Sequence, residues 1–209
     1  MTVEDFQAYW LHEHPRVVTR LPGLLRYVQS HTLPGAYRAG EPAWDGIVEV
    51  WFAGVEARRA LRGTPELAAV AADEARFIDG ASMRHLDVAE HVVVDAPWPR
   101  PGVKSVEFIR RRPDLSHDAF TAHWRDVHGP IAARIPQIRR YVQNHLRPAA
   151  YADGRVPAYD GLAITWFNDR DSMRAAAATL AYAATRADEP NFLVVPSPVI
   201  LATEHIILA

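Results

Sequence analysis

Apolar residues recur along this chain with helical spacing in some segments and with an alternating period of two in others. The helical segments predict amphipathic helices, and the first has Thr2 as its N-cap and Pro22 beyond its end. The alternating segments predict strands bounded by Gly and Pro residues. The predicted order is helix, strand, strand, helix and strand, over residues 2–20, 24–33, 45–52, 55–79 and 86–95.

The same series of patterns occurs a second time. The stretch RYVQSH at residues 26–31 returns as RYVQNH at 140–145, and Phe6, Trp10 and His14 are matched at the same offset by Phe120, Trp124 and His128. Such self-similarity marks an internal repeat. We therefore predict two modules, residues 1–95 and 104–209, joined by a proline-rich linker over 96–103. The second module's helices and strands are expected over 116–134, 138–146, 160–167, 170–189 and 199–208.

One strand distinguishes the two modules. Residues 104–110 alternate in polarity and predict a strand before the first helix of module two, whereas the first helix of module one begins at Thr2. Module two therefore reads β-α-β-β-α-β, a ferredoxin-like arrangement in which both helices cover one face of an antiparallel sheet. For module one, either the start of the sequence is misassigned or trimmed, or another segment takes the place of the first strand.

The face of the sheet that the helices leave open is expected to carry polar and aromatic side chains. Tyr27, Gln29 and His31 alternate along one strand, and Glu49 and Trp51 alternate along the next. We expect these five side chains to share the open face. Two such faces packed together form an α+β barrel, so the sequence predicts an intramolecular pseudo-dimer, with a homodimer as a further possibility.

Composition narrows the classes of function. The 209 residues include 23 Lys and Arg against 25 Asp and Glu, a net charge of −2, which offers no bulk attraction to nucleic acid or to anionic lipid. There is no cysteine, so disulfides and thiolate sites are excluded. No stretch stays apolar for the roughly 18 residues that a membrane span needs, and the N-terminus lacks the pattern of a signal peptide. We expect a soluble cytoplasmic protein with a small-molecule partner.

The motif spacing resembles a known family. The pattern runs F-x3-W-x3-H-P from Phe6, L-x-R-Y-x-Q-x-H from Leu24 and D-G-x2-E-x-W-F from Asp45, and module two repeats most of it. It is similar to the EthD-like family of dimeric α+β barrels. The resemblance implies ferredoxin-like modules that form a barrel, and small hydrophobic aromatic or polyketide-like substrates. Two departures from the family pattern matter: module one lacks its first strand, and module two has Ile164 where module one has Glu49.

The candidate catalytic residues lie in module one. His14, which the resemblance also marks, and His31 suit proton transfer near neutral pH, and Tyr27 could donate a hydrogen bond to a substrate oxygen. Glu49, if desolvated beside Trp51, would have a raised pKa and act as an acid or base. The candidate substrate-binding residues are Trp10, Gln29, Trp51, His128, Tyr141, Gln143, His145 and Trp166.

Each of these residues also has a structural interpretation. The histidines could pin a helix to a strand, the tyrosines could fill the barrel, and Glu49 could pair with an arginine at the rim. We interpret His91 and His205, together with the pairs Asp73-Glu74 and Asp188-Glu189, as structural.

The sequence therefore favours a cofactor-independent lyase-type enzyme that catalyses dehydration, decarboxylation, isomerisation or cyclisation. The alternatives are a cofactor-free monooxygenase and a non-catalytic binding protein. No spacing typical of a metal or haem ligand set occurs, and we expect no metal and no cofactor.

Overall fold

The computed structural model describes residues 1–97, 100 and 102–209; Trp98, Pro99 and Pro101 of the predicted linker lie outside the described residues. Seven strands are present: β1 Leu24–Thr32, β2 Gly46–Phe52, β3 Val88–Asp95, β4 Val103–Ile109, β5 Arg140–Leu146, β6 Gly161–Phe167 and β7 Val199–Leu208. The α-helices are α1 Val3–His12, α2 Pro15–Val18, α3 Val55–Ala60, α4 Pro65–Glu74, α5 His117–Ala122, α6 Gly129–Ala132, α7 Arg170–Ala177 and α8 Leu180–Asp188. A π-helical segment, His123–His128, joins α5 to α6.

Local sequence explains where the helices begin and break. The hydroxyls of Thr2 and Ser116 accept hydrogen bonds from the third backbone N–H of α1 and α5, as N-caps do. The single helix predicted over residues 2–20 is instead two helices. It breaks between His12 and Pro15, because proline has no N–H with which to continue the helical ladder.

The chain divides into two compact units. Unit 1 comprises Met1–His31, Asp45–His85 and Glu204–Ala209, and unit 2 comprises Thr32–Trp44 and Leu86–Thr203. These units differ from the sequence repeats because β3 of the first repeat belongs to unit 2, and β7 of the second repeat is divided after Thr203. In unit 2, β3 of the first repeat pairs antiparallel with β5 of the second.

Unit 2 contains the ferredoxin-like sheet that the sequence predicts. Its strands follow the order β7-β4-β6-β5-β3, and β4 pairs antiparallel with both β6 and β7. Within the second repeat this places the fourth strand first, followed by the first, third and second strands. Two apolar clusters pack helices against the sheet: one includes Tyr141 and Phe167, and the other includes Phe120, Trp124 and Phe192.

In unit 1 the strands follow the order β2-β1-β7, with β1 and β2 antiparallel. Its core consists of Val18, Leu21, Tyr27, Leu61 and Val70. Both units therefore combine an antiparallel sheet with packed helices, and the predicted α+β class is confirmed. No helix among the described residues has the length and apolar character needed to cross a membrane.

Candidate functional site

The register of β1 with β2 corrects one prediction about the sheet faces. Arg26 pairs with Trp51 and Val28 with Glu49, whereas Gln29 pairs with Val48. Residues paired directly across an antiparallel ladder point to the same face. Glu49 and Trp51 therefore lie on the face opposite Tyr27, Gln29 and His31, and the predicted five-residue open face does not exist.

Tyr27, Gln29 and His31 instead lie under the helices. Tyr27 is fully buried in the unit 1 core, and the Trp10 ring of α1 stacks on the His31 imidazole with centroids 4.2 Å apart and an interplanar angle of 7°. His31 retains only 4% of its accessible surface. The candidate site of module one is thus a buried layer between α1 and β1.

A glycine lets the Trp10 ring lie this close to the sheet. A Cβ on Gly46 would lie 2.6 Å from Cζ3 and 2.8 Å from Cη2 of Trp10, too close for any side chain. In unit 2, a Cβ on Gly161 would lie 2.7 Å from Cζ3 of Trp124. The Asp-Gly pair that recurs in the sequence therefore contributes a glycine that makes room for the indole.

An interruption in the first helix exposes one backbone carbonyl to the strand. The N–H of His14 donates to the Tyr9 carbonyl, five residues back, instead of to the Trp10 carbonyl as a regular α-helix requires. The Trp10 carbonyl accepts from Nε2 of Gln29 at 2.7 Å. Local π-type turns of this kind are frequent at functional sites.

This hydrogen bond fixes the tautomer of His31. A carbonyl only accepts, so Nε2 of Gln29 faces Trp10 and Oε1 of Gln29 faces His31, whose Nε2 lies 2.9 Å away. Since Oε1 only accepts, His31 carries its proton on Nε2 and presents a lone pair at Nδ1. Burial, together with the neighbouring His205, lowers the pKa of His31 to about 3, so the ring is neutral at physiological pH.

Tyr27 lies next to this amide. Nε2 of Gln29 donates to the Tyr27 hydroxyl at 2.6 Å. Burial raises the pKa of Tyr27 to about 12, even though the hydrogen bonds from Gln29 and Trp10 favour the phenolate. Tyr27 is therefore a neutral phenol, as a hydrogen-bond donor to a substrate oxygen must be.

His14 forms a second acid–base element with Asp73 of α4. Nδ1 of His14 lies 2.8 Å from Oδ2 of Asp73, and the hydroxyl of Tyr9 donates to Oδ1 at 2.6 Å. Burial alone would raise the pKa of Asp73, but the hydrogen bonds from Tyr9 and His14 lower it below its usual value. The ionised carboxylate holds the Nδ1 proton of His14 and leaves Nε2 as the nitrogen for proton exchange. Asp73, interpreted as structural from the sequence, thus orients a candidate catalytic histidine.

The second repeat rebuilds both elements in unit 2. Nε2 of Gln143 donates to the Trp124 carbonyl at 2.7 Å, Nε2 of His145 lies 3.1 Å from Oε1 of Gln143, and Nδ1 of His128 lies 3.0 Å from Oδ2 of Asp188. Burial lowers the pKa of His145 to about 4 and raises that of Tyr141. The Nδ1 atom of His145 is buried without a hydrogen-bond partner in the described part of the chain.

Unit 2 adds a carboxyl pair that sequence reasoning missed. One guanidinium nitrogen of Arg186 lies 3.3 Å from Oε1 of Glu107 and 2.7 Å from Oε1 of Glu189. Burial and the charge of Glu107 raise the pKa of Glu189 to about 8, and burial raises the pKa of Glu107. At neutral pH Glu189 therefore holds a proton. The signal available in the sequence was Glu107, a charge on the helix-facing side of β4.

Two of the three predicted tryptophans, Trp51 and Trp166, lie on the opposite sheet face, beside cationic side chains. The Arg26 guanidinium lies 4.6 Å from the ring centroid of Trp51. In unit 2, Lys104 lies 4.8 Å and Arg140 lies 5.7 Å from the ring of Trp166. Cation–π contacts account for both tryptophans.

Two surface clefts in the described part of the chain lie away from the candidate residues. A cleft of about 530 Å³ is lined by Gly102, Val103, Asn168, Asp169, Arg170, Asp171 and Arg174 of unit 2. Another, of about 250 Å³, is lined by Arg58, Arg59, Leu61, Arg62 and Leu67 of unit 1. Within the described ranges, no group of three or more His, Asp or Glu side chains is arranged to hold a metal ion.

Fold and site together define a class of protein: an α+β chain with two homologous modules, each of which buries a histidine–aspartate pair between its first and second helical regions. The sequence matches the EthD domain over residues 1–81 and again over 112–195. The chain therefore belongs to the EthD domain family, as a tandem of two domains, and the predicted resemblance is confirmed. None of the curated protein sequences compared with the chain matches it.

Solved structures share the fold at low sequence identity. An anthrone oxidase-like protein superposes with a TM-score of 0.62 at 10% identity, over 97% of this chain and 88% of that one. A protein of Lactobacillus acidophilus, provisionally described as a monooxygenase, gives 0.56 at 10% identity over 99% and 90%. A Fusobacterium nucleatum protein with the same provisional description gives 0.55 at 9% identity over 98% and 84%. These likenesses show the fold, and ferredoxin-like modules of the dimeric α+β barrel class are confirmed.

Proposed function

We propose that the protein is an acid–base enzyme for a small hydrophobic molecule with an aromatic or polyketide-like skeleton. The observation that supports this most directly is the occurrence, in both repeats, of a buried histidine held at Nδ1 by an aspartate. An oriented His–Asp pair leaves Nε2 as a general base, and such catalysis contributes about 10²–10⁴-fold in rate. The proposed reactions are dehydration, decarboxylation, isomerisation and cyclisation.

In unit 1 each side chain has a separate proposed role. Nε2 of His14 removes a proton from the substrate, and Asp73 stabilises the imidazolium that forms. The Nδ1 lone pair of His31 accepts a hydrogen bond from a substrate hydroxyl, and the phenol of Tyr27 donates to a substrate oxygen. The indole of Trp10 forms the apolar wall. Glu49 is left out of this constellation because it lies on the other face of the sheet.

Unit 2 offers an equivalent set with one addition. His128 with Asp188 takes the place of His14 with Asp73, and Gln143 and His145 take the places of Gln29 and His31. Glu189 favours its protonated form because burial and the charge of Glu107 raise its pKa to about 8. Unit 2 therefore supplies a base and an acid, and we propose it as the more complete of the two sites.

A cofactor-free monooxygenase is the second candidate. The names of the structural neighbours favour it, since one is called anthrone oxidase-like and two carry the provisional description monooxygenase. In that reaction a base deprotonates the substrate, and the resulting carbanion or phenolate supplies the electrons to molecular oxygen. The same histidines would serve as the base.

Paired variants test the proposal. Purified protein is incubated with a panel of aromatic ketones and polyketide-like phenols, with and without oxygen, and products are followed by mass spectrometry. His128→Asn and His14→Asn are compared with the exposed-residue control His85→Asn, with folding checked by circular dichroism. We expect at least one variant to lose about 100-fold or more in kcat/KM. Product formation that requires oxygen selects the monooxygenase, and unchanged rates in both variants contradict a role for either His–Asp pair.

A further inference from the structure

The equivalent strands β2 and β6 have different surroundings. In unit 2, β6 lies between β5 and β4 and pairs with β4 over its full length, from Phe167 with Val103 to Gly161 with Ile109. In unit 1, β2 pairs with β1 and is the edge strand in the sheet order. Because β2 and β6 are equivalent, β4 shows which kind of strand can pair with the edge of β2 that β1 does not occupy.

The side chains of β2 are suited to being covered. Val48 and Val50 expose 51% and 43% of their surface, whereas the equivalent residues of β6 are the half-buried Ala163 and Thr165. Edge strands usually carry lysine, proline or a bulge that discourages pairing with other chains. In its seven residues β2 has no lysine and no proline, and its single charged side chain is Glu49.

The pattern of β4 indicates the chemistry of a strand that would fit beside β2. Val106 pairs with Ile164 and Phe108 with Leu162, so apolar residues alternate on one face. Lys104 pairs with Trp166, and its ammonium group lies 4.8 Å from the ring. The tryptophan at the equivalent position of β2 is Trp51. A strand of the β4 type would place its lysine beside Trp51 and next to the carboxylate of Glu49 on the same face.

We propose that β2 is a docking edge for an extended polypeptide strand of the β4 type. The strand pairs antiparallel with β2, has apolar residues at alternate positions, contains no proline and carries a basic residue opposite Trp51. A second copy of β2 is a poorer occupant. Pairing two β2 strands about their centre would place two Glu49 carboxylates opposite each other, and like charges at directly opposed positions destabilise a sheet.

A synthetic peptide with the sequence of residues 102–111 is the probe. One form carries a photo-reactive phenylalanine in place of Phe108 and a fluorophore at its end, and binding to the intact protein is followed by fluorescence anisotropy. We expect saturable binding, and a cross-link that maps to residues 46–52. The matched control is the same peptide with Ser105→Pro, since the odd-numbered residues of β4 direct their N–H groups toward β6 whereas Phe108 donates toward β7; this peptide loses a donor to β2 and should bind at least tenfold more weakly.

A charge exchange tests the proposed pairing. Glu49→Lys in the protein should weaken binding of the lysine-bearing peptide about tenfold, and a Lys104→Glu peptide should regain that affinity on the Glu49→Lys protein. Circular dichroism checks that the variant is folded. Equal binding of the proline peptide, a cross-link to residues 161–167, or a dimer that the peptide cannot dissociate in sedimentation would each overturn the proposal. Because β2 contributes none of the proposed catalytic groups, these outcomes are independent of the enzyme assay.

Discussion

Nδ1 of His14 lies 2.8 Å from Oδ2 of Asp73, a residue 59 positions further along the chain, and His128 and Asp188 repeat this relationship at 3.0 Å across 60 positions. A contact kept in both copies of a duplicated module links the N-terminal helical region of each repeat to the end of its second helical region. The contact joins each histidine to the helix that packs beside it. The contribution of such a pair to stability can therefore be measured at two positions of one protein.

Replacing Asp73 with asparagine should destabilise the fold. The variant loses a charge-assisted hydrogen bond and leaves the imidazole of His14 without its anion, which should cost about 1–3 kcal/mol of unfolding free energy. Urea unfolding followed by circular dichroism measures this cost. Asp5→Asn, at an exposed position, should change it by less than about 0.5 kcal/mol. Equal stability of Asp73→Asn and Asp5→Asn would show that the pair contributes nothing.

Two of the buried histidines, His31 and His145, should make the protein sensitive to mild acid. Their pKa values in the folded state, about 3 for His31 and about 4 for His145, lie below the value of 6.5 for an exposed histidine, so the unfolded chain binds more protons between these limits. Their contribution to stability is therefore complete above about pH 6.5 and is lost as the pH falls. Each histidine contributes a slope of at most about 1.4 kcal/mol per pH unit.

The measurement is the unfolding free energy from pH 7 to pH 5. Against wild type, His31→Gln and His145→Gln should each reduce the acid-side loss of stability, and His85→Gln, at an exposed position, should leave the slope unchanged. A slope that none of the three substitutions alters would contradict the burial argument.

Glu189 should make the folded protein less stable as the pH rises, the opposite of the effect of the two histidines. Its folded pKa of about 8 exceeds the ordinary value of 4.5, so the folded protein binds the extra proton. Its favourable contribution is complete below about pH 4.5 and is lost as the pH rises to about 8. Glu189→Gln imitates the protonated carboxyl group, and the variant should gain stability relative to wild type as the pH rises from 6 to 9. Thermal unfolding across this pH range measures the difference in stability, and Glu74→Gln, at the equivalent position of unit 1, is the comparison. Wild-type and Glu189→Gln curves that run parallel would refute the prediction.

The close approach of the tryptophans predicts which glycines tolerate a methyl group. Gly46→Ala and Gly161→Ala push a Cβ into the Trp10 and Trp124 rings and should cost about 1–3 kcal/mol each. Gly80→Ala places its Cβ where no atom lies within 4 Å and should be neutral. Chemical denaturation followed by tryptophan fluorescence distinguishes them. A neutral Gly46→Ala would mean that the indole can move away without loss.

The sequence predicted much of the fold because its signals are local. N-capping by Thr2 and Ser116, and the strand pattern over residues 104–110, depend on neighbours in the chain and are present in the structure. The prediction that β2 places Glu49 on the same sheet face as Tyr27 of β1 was wrong. Alternation shows that Tyr27 and Arg26 point to opposite faces, but only the register decides which of them shares a face with Glu49.

The missed site residues have a similar explanation. Asp73 acquires its role through a contact across 59 residues, and Glu189 through Glu107 and Arg186, which lie on a strand and a helix far apart in sequence. No periodicity within one segment reports such pairs. The pairing of β3 of the first repeat with β5 of the second also depends on long-range contacts, and the RYVQ repeat alone does not encode it.

The irregular turn at Trp10 couples the winding of the first helix to the position of the proton on His31. The released Trp10 carbonyl holds Gln29, 19 residues later in the chain, and the Gln29 amide holds Nε2–H of His31. One proton on the His31 imidazole is therefore fixed by the winding of the first helix. A ligand that rewound this turn into a regular α-helix would withdraw the carbonyl from Gln29 and release the ring to change tautomer. The ring nitrogen resonances of His31 would then serve as a gauge of how the first helix is wound.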